Sequence, residues 1–261
     1  MSPATKAKPA RQAPFTIKVA SHPKEVEVQD ALTTALHDNP IPANEQKWNL
    51  PLFLNRQALS KLLGMAYYYQ QLLPVTGGII EFGVRWGHNM ALFNNLRGIF
   101  EPFNHTRRIV GFDTFSGFQG VDKKDGDDDV ITPGAFGVTA HYEAFLGRIL
   151  ALHESNAPIS HIRKFDLIKG DISETLPKFL KDHPHFIVAF AYFDVDLYTP
   201  TRDALQLILP RCTKGTVLGF DEIHDHIYPG ETTALMEVLG LDRYPLRRNP
   251  YYVTSNYLVI E

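Results

Sequence analysis

The chain has 261 residues, of which 44% are hydrophobic and 21% charged, and its formal net charge is -3. This is enough apolar chain for one large domain, and the near-neutral charge gives no electrostatic reason to expect a nucleic-acid partner. The single cysteine, Cys212, excludes an internal disulfide framework. The sequence lacks both the roughly 18 uninterrupted apolar residues of a membrane span and the apolar core of a signal peptide, so we expect a cytoplasmic protein without a membrane partner. Composition leaves open whether it forms a homo-oligomer.

The first 74 residues are predicted to precede the main domain. Residues 1–14 are rich in Ala, Pro and Lys without periodicity and predict a disordered tail. Residues 15–74 form an N-terminal extension whose first part is ambiguous. Apolar residues then recur at helical spacing from Leu59 through Leu72, and the pattern ends before Pro74, which predicts a helix.

The remaining residues, 75–261, predict one α/β domain. Helices are expected near 88–99, 139–153 and 200–210, and they alternate with apolar runs that predict strands: GGIIEFGV, RRIVGFD, DLIKGD, HFIVAFAYFD and TVLGFD. Strands that alternate with helices indicate a parallel sheet covered on both faces. The last stretch, residues 244–261, predicts two short strands joined by a turn, and therefore an antiparallel edge.

Local signals place two helix starts. Thr199 is predicted to cap the helix after Asp196, with Pro200 at its first position. The segment Tyr228-Pro229-Gly230-Glu231 predicts the start of a later helix, because apolar residues recur at helical spacing after it.

Two acidic pairs stand where predicted strands end. Asp194 and Asp196 follow one apolar run, and Asp221 and Glu222 follow the next. In an open α/β sheet, ligands bind outside the carboxyl ends of the strands, so these four carboxylates predict a cation site. Their oxygens suit Mg²⁺, Ca²⁺ or Mn²⁺ better than Zn²⁺.

Other interpretations of these acids are open. Asp221 with His224 and His226 would imitate a two-histidine, one-carboxylate iron site, although both histidines fall in a predicted loop. Any one carboxylate could instead cap a helix or join a surface ion pair. The presence of two strand-end pairs favours the cation site.

The first predicted strand and its turn suggest a ligand site of another kind. Glu81, Gly83 and Gly87 form an E-x-G-x-x-x-G pattern before a helix. Glycines let the backbone approach a ligand closely, and a carboxylate can hold a ligand ammonium or hydroxyl. The pattern is not the dinucleotide fingerprint, because Arg85 stands at the middle glycine, which disfavours a nicotinamide dehydrogenase. Tight packing of strand against helix would explain the same glycines.

Polar residues follow the next two strands as well. Asp113 ends the second strand, where an acid could accept from ribose hydroxyls, and Ser116 adds a polar group just beyond it. Asp171 ends the third strand and could accept from an adenine amino group. It could equally cap the helix that begins near Ser173.

The acidic segment 122–130 contains a glycine but does not match the spacing of an EF-hand loop. It predicts a solvated, mobile loop. We add the hypothesis that it orders over a bound ligand when substrate arrives.

Six motifs then occur in an order that resembles the TylF-like (macrocin O-methyltransferase) family of S-adenosylmethionine-dependent enzymes. They span about residues 75–235 and read EFGVRWGHN, GFDTFSGFQG, KGDISETLP, FDVDLYTPT, DE and YPGE. The resemblance implies a class I S-adenosylmethionine-dependent methyltransferase (Rossmann-like) fold. Such a fold has a seven-stranded, mostly parallel sheet with an antiparallel C-terminal edge.

The resemblance also implies an activity: methylation of a sugar hydroxyl with a divalent cation, usually Mg²⁺. Carried over by motif, Asp194, Asp221 and Glu222 would bind the metal, and Asp196 would be the general base. The chain departs from the macrolide enzymes at Glu222, where they commonly have Asp. A catechol-like O-methyltransferase and a non-catalytic S-adenosylmethionine-binding protein are the alternatives. The acceptor would be a saccharide or another small molecule.

Overall fold

The computed structural model describes residues 22–261. The predicted tail and residues 15–21 of the extension lie outside the described residues. The extension contains helices α1 (Pro23–His37), α2 (Ala43–Asn49) and α3 (Arg56–Leu72), of which α3 confirms the predicted helix. None of the helices between residues 22 and 261 has the length and apolar character needed to cross a membrane.

The segment predicted to be the main domain, residues 75–261, alternates strands and helices as expected. Its elements are β1 (Gly78–Phe82), α4 (His88–Phe100), β2 (Ile109–Asp113), α5 (Tyr142–Asn156), β3 (Phe165–Lys169), α6 (Ile172–Asp182), β4 (Val188–Phe193), α7 (Tyr198–Ile208), β5 (Cys212–Phe220), α8 (Gly230–Val238), β6 (Arg247–Arg248) and β7 (Asn256–Val259). Short 3-10 turns occupy Leu50–Phe53, Lys123–Asp125 and Leu209–Arg211.

The described strands form one seven-stranded sheet in the order β3-β2-β1-β4-β5-β7-β6. Strands β1 to β5 pair in parallel, and β7 is antiparallel to both β5 and β6. The predicted sheet with its antiparallel C-terminal edge is therefore confirmed. The chain order reverses between β1 and β4, and such a switch point opens a crevice at the carboxyl ends of the strands.

Apolar side chains cover the sheet on both faces. Successive residues of β4 point to opposite faces of the sheet. Phe193 packs in the core under α6, α7 and α8, whereas Tyr192 packs in the core under α3 and α4. Phe193 also stacks on Phe220 of β5, with ring centroids 4.8 Å apart. The buried sheet thus fixes the level at which β4 and β5 end.

The start of α7 differs from the prediction. The helix begins at Tyr198, and its N-cap residue is Leu197, whose side chain makes no capping hydrogen bond, so Thr199 is not the cap and Pro200 is not the first helical residue. The Tyr198 backbone N–H instead donates to Asp125 Oδ1 at 2.5 Å. A distant carboxylate therefore satisfies this helix end.

The same contact corrects the prediction of a wholly solvated loop at 122–130. Asp125 is buried, and its second oxygen accepts from the Asp122 backbone N–H at 2.6 Å. Lys124 Nζ contacts Glu237 Oε1 of α8 at 2.6 Å. The first half of this loop is therefore attached to α7 and α8. Closure over a ligand stays a hypothesis.

Candidate active site

The sheet hydrogen bonds continue one residue beyond strands β1, β4 and β5. The Asp194 backbone N–H donates to Phe82 O at 2.9 Å, and the Asp221 N–H donates to Phe193 O at 3.0 Å. Asp194 and Asp221 are consequently the first residues outside two neighbouring strands, at one level of the sheet. This register brings together the two acidic pairs that the sequence placed at strand ends.

A lysine from the N-terminal extension lies against this acidic edge. Lys61 of α3 places its Nζ 3.3 Å from Asp194 Oδ2 and 5.6 Å from the centroid of the Tyr252 ring. Burial alone would lower the pKa of Lys61, but the carboxylates of Asp194 and Asp221 outweigh it and hold that pKa well above its ordinary value. Sequence analysis missed Lys61, because a single lysine in an amphipathic helix carries no signal of its own.

Asp221 is buried beside a tyrosine that sequence analysis also missed. The hydroxyl of Tyr192, the penultimate residue of β4, donates to Asp221 Oδ1. Burial and the charge of Asp194 raise the pKa of Asp221 to about 6, although Lys61 and the Tyr192 bond act in the opposite direction. The Asp221 carboxylate is therefore both buried and close to another negative charge, that of Asp194.

The second acid of each pair has a raised pKa as well. Burial raises the pKa of Asp196 well above its ordinary value, and the charges of Asp194 and Glu222 raise it further. The pKa of Glu222 rises to about 8 through burial and through Asp221 and Asp225. A bound cation would relieve this repulsion and favour the ionised carboxylates.

The donor set fits a hard divalent cation in its chemistry, because the converging ligands are carboxylate oxygens. Within residues 22–261, however, no three His, Cys, Asp or Glu side chains are arranged to hold a metal ion as they stand. His224 and His226 are exposed and form no such cluster with Asp221, so the alternative iron site is not formed within the described residues. Binding at the acidic pairs would require side-chain movement.

A tyrosine from the β5–α8 loop adds a buried polar group near Asp196. The Tyr228 hydroxyl has no hydrogen-bond partner among the described residues. Burial, followed by the charges of Asp196 and Glu222, raises the pKa of Tyr228 to about 12. The phenol is therefore a protonated donor at the edge of the acidic cluster. Sequence analysis did not select it, because only the fold brings the loop to this position.

On the β1 side, Glu81 is buried and partly unsatisfied. Its Oε1 accepts from Asn89 Nδ2 at 2.9 Å, whereas its Oε2 has no partner among the described residues. Burial raises the pKa of Glu81 well above its ordinary value, and the Asn89 bond lowers it in part. An orphaned carboxylate oxygen beside the switch point is the kind of acceptor that a ligand cation or hydroxyl would satisfy.

The two predicted glycines have packing roles. A Cβ on Gly83 would overlap the backbone oxygen of Asp194, and a Cβ on Gly87 would overlap the Leu146 side chain of α5. Both glycines have positive φ, +87° and +77°. Close packing accounts for both glycines, and their predicted role in cofactor binding stays a prediction.

The polar residues predicted at the ends of β2 and β3 all make hydrogen bonds to nearby backbone groups. Asp113 accepts from the Arg85 N–H at 2.7 Å and from the Phe115 N–H at 2.5 Å. Ser116 is exposed and donates to Thr114 O at 3.3 Å. Asp171, at the end of β3, caps α6, because its Oδ1 accepts from the Ser173 N–H at 2.7 Å. That capping alternative is confirmed. Each carboxylate oxygen keeps a second lone pair for another donor.

Comparison with known proteins identifies relatives among solved structures. A scan against protein-family models and a search of curated proteins both gave no match. The structure of CalS11, calicheamicin methyltransferase, is 41% identical, covers 97% of this chain and 99% of its own, and has a TM-score of 0.90. The apo structure of CalS11, a TDP-rhamnose 3'-O-methyltransferase, is also 41% identical, covers 92% of this chain and 96% of its own, and has a TM-score of 0.82.

A more distant structure supports the fold alone. The O-methyltransferase NovP is 17% identical, covers 77% of this chain and 80% of its own, and has a TM-score of 0.58. The predicted class I methyltransferase fold is thereby confirmed. Because it is 41% identical to CalS11 over almost the whole of both chains, the chain belongs to the TylF-like family of S-adenosylmethionine-dependent sugar O-methyltransferases.

Proposed function

We propose that this O-methyltransferase methylates a hydroxyl of a nucleotide-linked sugar and uses a divalent cation. The observation that carries the acceptor class is the 41% identity to CalS11, whose acceptor is named as TDP-rhamnose. The observation that supports the cation is the meeting of two acidic pairs at the ends of β4 and β5, with raised pKa values at Asp221 and Glu222.

The two acidic pairs divide into binding and proton-accepting roles. Asp194, Asp221 and Glu222 would hold Mg²⁺ or another hard divalent cation, which would lower the pKa of the acceptor hydroxyl. Asp196 would accept the proton from that hydroxyl. Burial raises the pKa of Asp196, and a carboxylate with a higher pKa is the stronger base.

Lys61 places a positive charge beside the proposed metal ligands in the metal-free protein. Its ammonium contacts Asp194 Oδ2. Asp194 could therefore use both carboxylate oxygens to bind a metal cation only after Lys61 moves aside. The lysine would therefore keep the acidic edge partly neutralised before a cation binds. Tyr228, with its unpartnered hydroxyl, would donate a hydrogen bond to the bound acceptor.

S-adenosylmethionine would supply a methyl group already activated on its sulfonium. Glu81, with its free Oε2, would hold the ammonium of the cofactor, and Asp113 would accept from its ribose hydroxyls. Ser116 and Asp171 follow β2 and β3 and would face the adenosine. Gly83 and Gly87 would act indirectly, because their packing sets the shape of the β1 turn.

Substrate profiling tests the proposal. Purified protein with S-adenosylmethionine and Mg²⁺ is offered TDP-rhamnose, other nucleotide-linked sugars and a catechol, and methylated products are detected by mass spectrometry. We expect a methylated nucleotide sugar. Methylation of the catechol alone would assign the catechol-like activity, and binding of S-adenosylmethionine without any transfer would assign a binding protein. The cytoplasmic location and the oligomeric state stay predictions.

A further inference from the structure

Glu231, the second residue of α8, is fully buried and connects the two acidic loops. Its Oε1 accepts from the backbone N–H groups of Val195 and Asp196, at 3.2 and 3.3 Å. Its Oε2 accepts from the Glu222 N–H at 3.3 Å. One carboxylate therefore joins the loop after β4 to the loop after β5.

The β4 loop has a backbone conformation that needs such support. Asp196 has φ +62°, in the left-handed region that residues with a Cβ seldom adopt. Gly230 approaches the same residue, because a Cβ on it would lie 2.7 Å from Asp196 O and 2.5 Å from the Tyr198 N. The Pro-Gly-Glu sequence thus combines a close approach at Gly230 with a hydrogen-bonding carboxylate at Glu231.

The hydrogen bonds of Glu231 suit a carboxyl group better than an amide. Both oxygens of Glu231 accept backbone N–H groups, whereas a glutamine would present an NH₂ donor to one loop. A buried carboxylate among other acids is costly, because it loses hydration and repels its neighbours. Its presence at the junction of the two loops therefore points to a positional role.

We propose that Glu231 is a positioning residue, whose carboxylate fixes the loop of Asp194 and Asp196 relative to the loop of Asp221 and Glu222. The consequence for metal binding rests on the proposed function, whereas the joining of the loops does not. Residues that hold ligands in place typically affect metal affinity by about 10- to 100-fold when they are changed.

Amide hydrogen exchange, measured by NMR, tests the joining of the loops without any metal. The variants are Glu231→Gln and, as a matched control, Glu237→Gln, which removes the same charge from an exposed position on the same helix. We expect the amides of Val195, Asp196 and Glu222 to exchange at least about tenfold faster in Glu231→Gln only. Unchanged exchange at all three amides would overturn the proposal.

Calorimetry with Mn²⁺ and, separately, with S-adenosylhomocysteine tests the consequence. Glu231→Gln should weaken Mn²⁺ binding by at least about tenfold while S-adenosylhomocysteine affinity changes by less than about threefold. Glu231→Asp, which is shorter and reaches one loop at a time, should lose less. Wild-type protein that binds no Mn²⁺ would refute the metal proposal. The amide-exchange experiment would still test whether Glu231 joins the two loops. If both Glu231 variants lose S-adenosylhomocysteine binding and unfold, Glu231 serves the whole fold and the positional role is overturned.

Discussion

Lys61 Nζ lies 3.3 Å from Asp194 Oδ2, and this ion pair joins the N-terminal extension to the end of β4. The two residues are 133 positions apart in the chain. The extension therefore contributes to the acidic site as well as covering the sheet, and its lysine is the positive charge nearest to Asp194 among the ion pairs of the described residues.

Replacing Lys61 by Met should strengthen cation binding at a pH where the carboxylates are ionised. Two unit charges 4 Å apart interact by about 4 kcal/mol at an effective dielectric constant of about 20, and partial exposure of this pair reduces the effect. We expect Mn²⁺ to bind about tenfold more tightly, which corresponds to about 1.4 kcal/mol. Lys61→Arg, which keeps the charge, is the control. Weaker Mn²⁺ binding in Lys61→Met would instead mean that the lysine supports the site.

The stability of the metal-free protein should fall as the pH rises. The folded pKa values of Asp221 and Glu222, about 6 and about 8, exceed the unfolded values of about 4. Between these values the folded protein binds more protons than the unfolded one, so the free energy of unfolding decreases with pH. Calorimetric unfolding in chelator, from about pH 5 to about pH 8, should show the decrease in the free energy of unfolding. Glu222→Gln or added Mg²⁺ should reduce it, and identical slopes in all three samples would contradict the raised pKa values.

Gly83→Ala should disturb the acidic site, although Gly83 is in the β1 turn. The new Cβ would overlap the Asp194 backbone oxygen, and φ +87° is unfavourable for alanine. We expect Mn²⁺ affinity and turnover to fall together. Gly98→Ala is the control, because a Cβ there meets no atom of the described residues within 4 Å, and in a helix it should stabilise by about 0.5–1 kcal/mol. Normal Mn²⁺ binding in Gly83→Ala would show that β4 adapts freely.

The two aspartates after β4 should be separable by substitution. Asp196→Asn should retain Mn²⁺ and S-adenosylhomocysteine binding but lower kcat by about 10²- to 10⁴-fold, the usual contribution of a general base. Asp194→Asn should weaken Mn²⁺ binding. Calorimetry and steady-state kinetics on both variants measure the difference. If Asp196→Asn loses the metal and recovers turnover at saturating cation, the roles of Asp194 and Asp196 are exchanged.

The sequence predicted the fold well because its signals are local. Alternating apolar runs and helical periodicity gave β1 to β5, and carboxylates at strand ends gave the acidic site, since the register of a parallel sheet brings those ends together. A local signal gave the wrong result at Thr199, which was predicted to cap α7. The α7 terminus is satisfied by Asp125, which is 73 residues away and lies in a segment that reads as solvated loop.

Other site residues could not be predicted for a related reason. Lys61, Tyr192 and Glu231 act through contacts between distant elements, and none belongs to a pattern that indicates such a contact. Gly83 indicates a close approach, and the structure shows one to the backbone of Asp194, whereas its approach to a ligand stays a prediction. A glycine in a sequence indicates that space is needed, and the fold decides what fills it.

Methyl transfer from S-adenosylmethionine to TDP-rhamnose, measured in excess chelator and again after Mg²⁺ is restored, tests the central claim most directly. The acidic pairs at the ends of β4 and β5 predict no detectable transfer in chelator and full recovery with Mg²⁺. Full activity in chelator would contradict the assignment of Asp194, Asp221 and Glu222 as metal ligands.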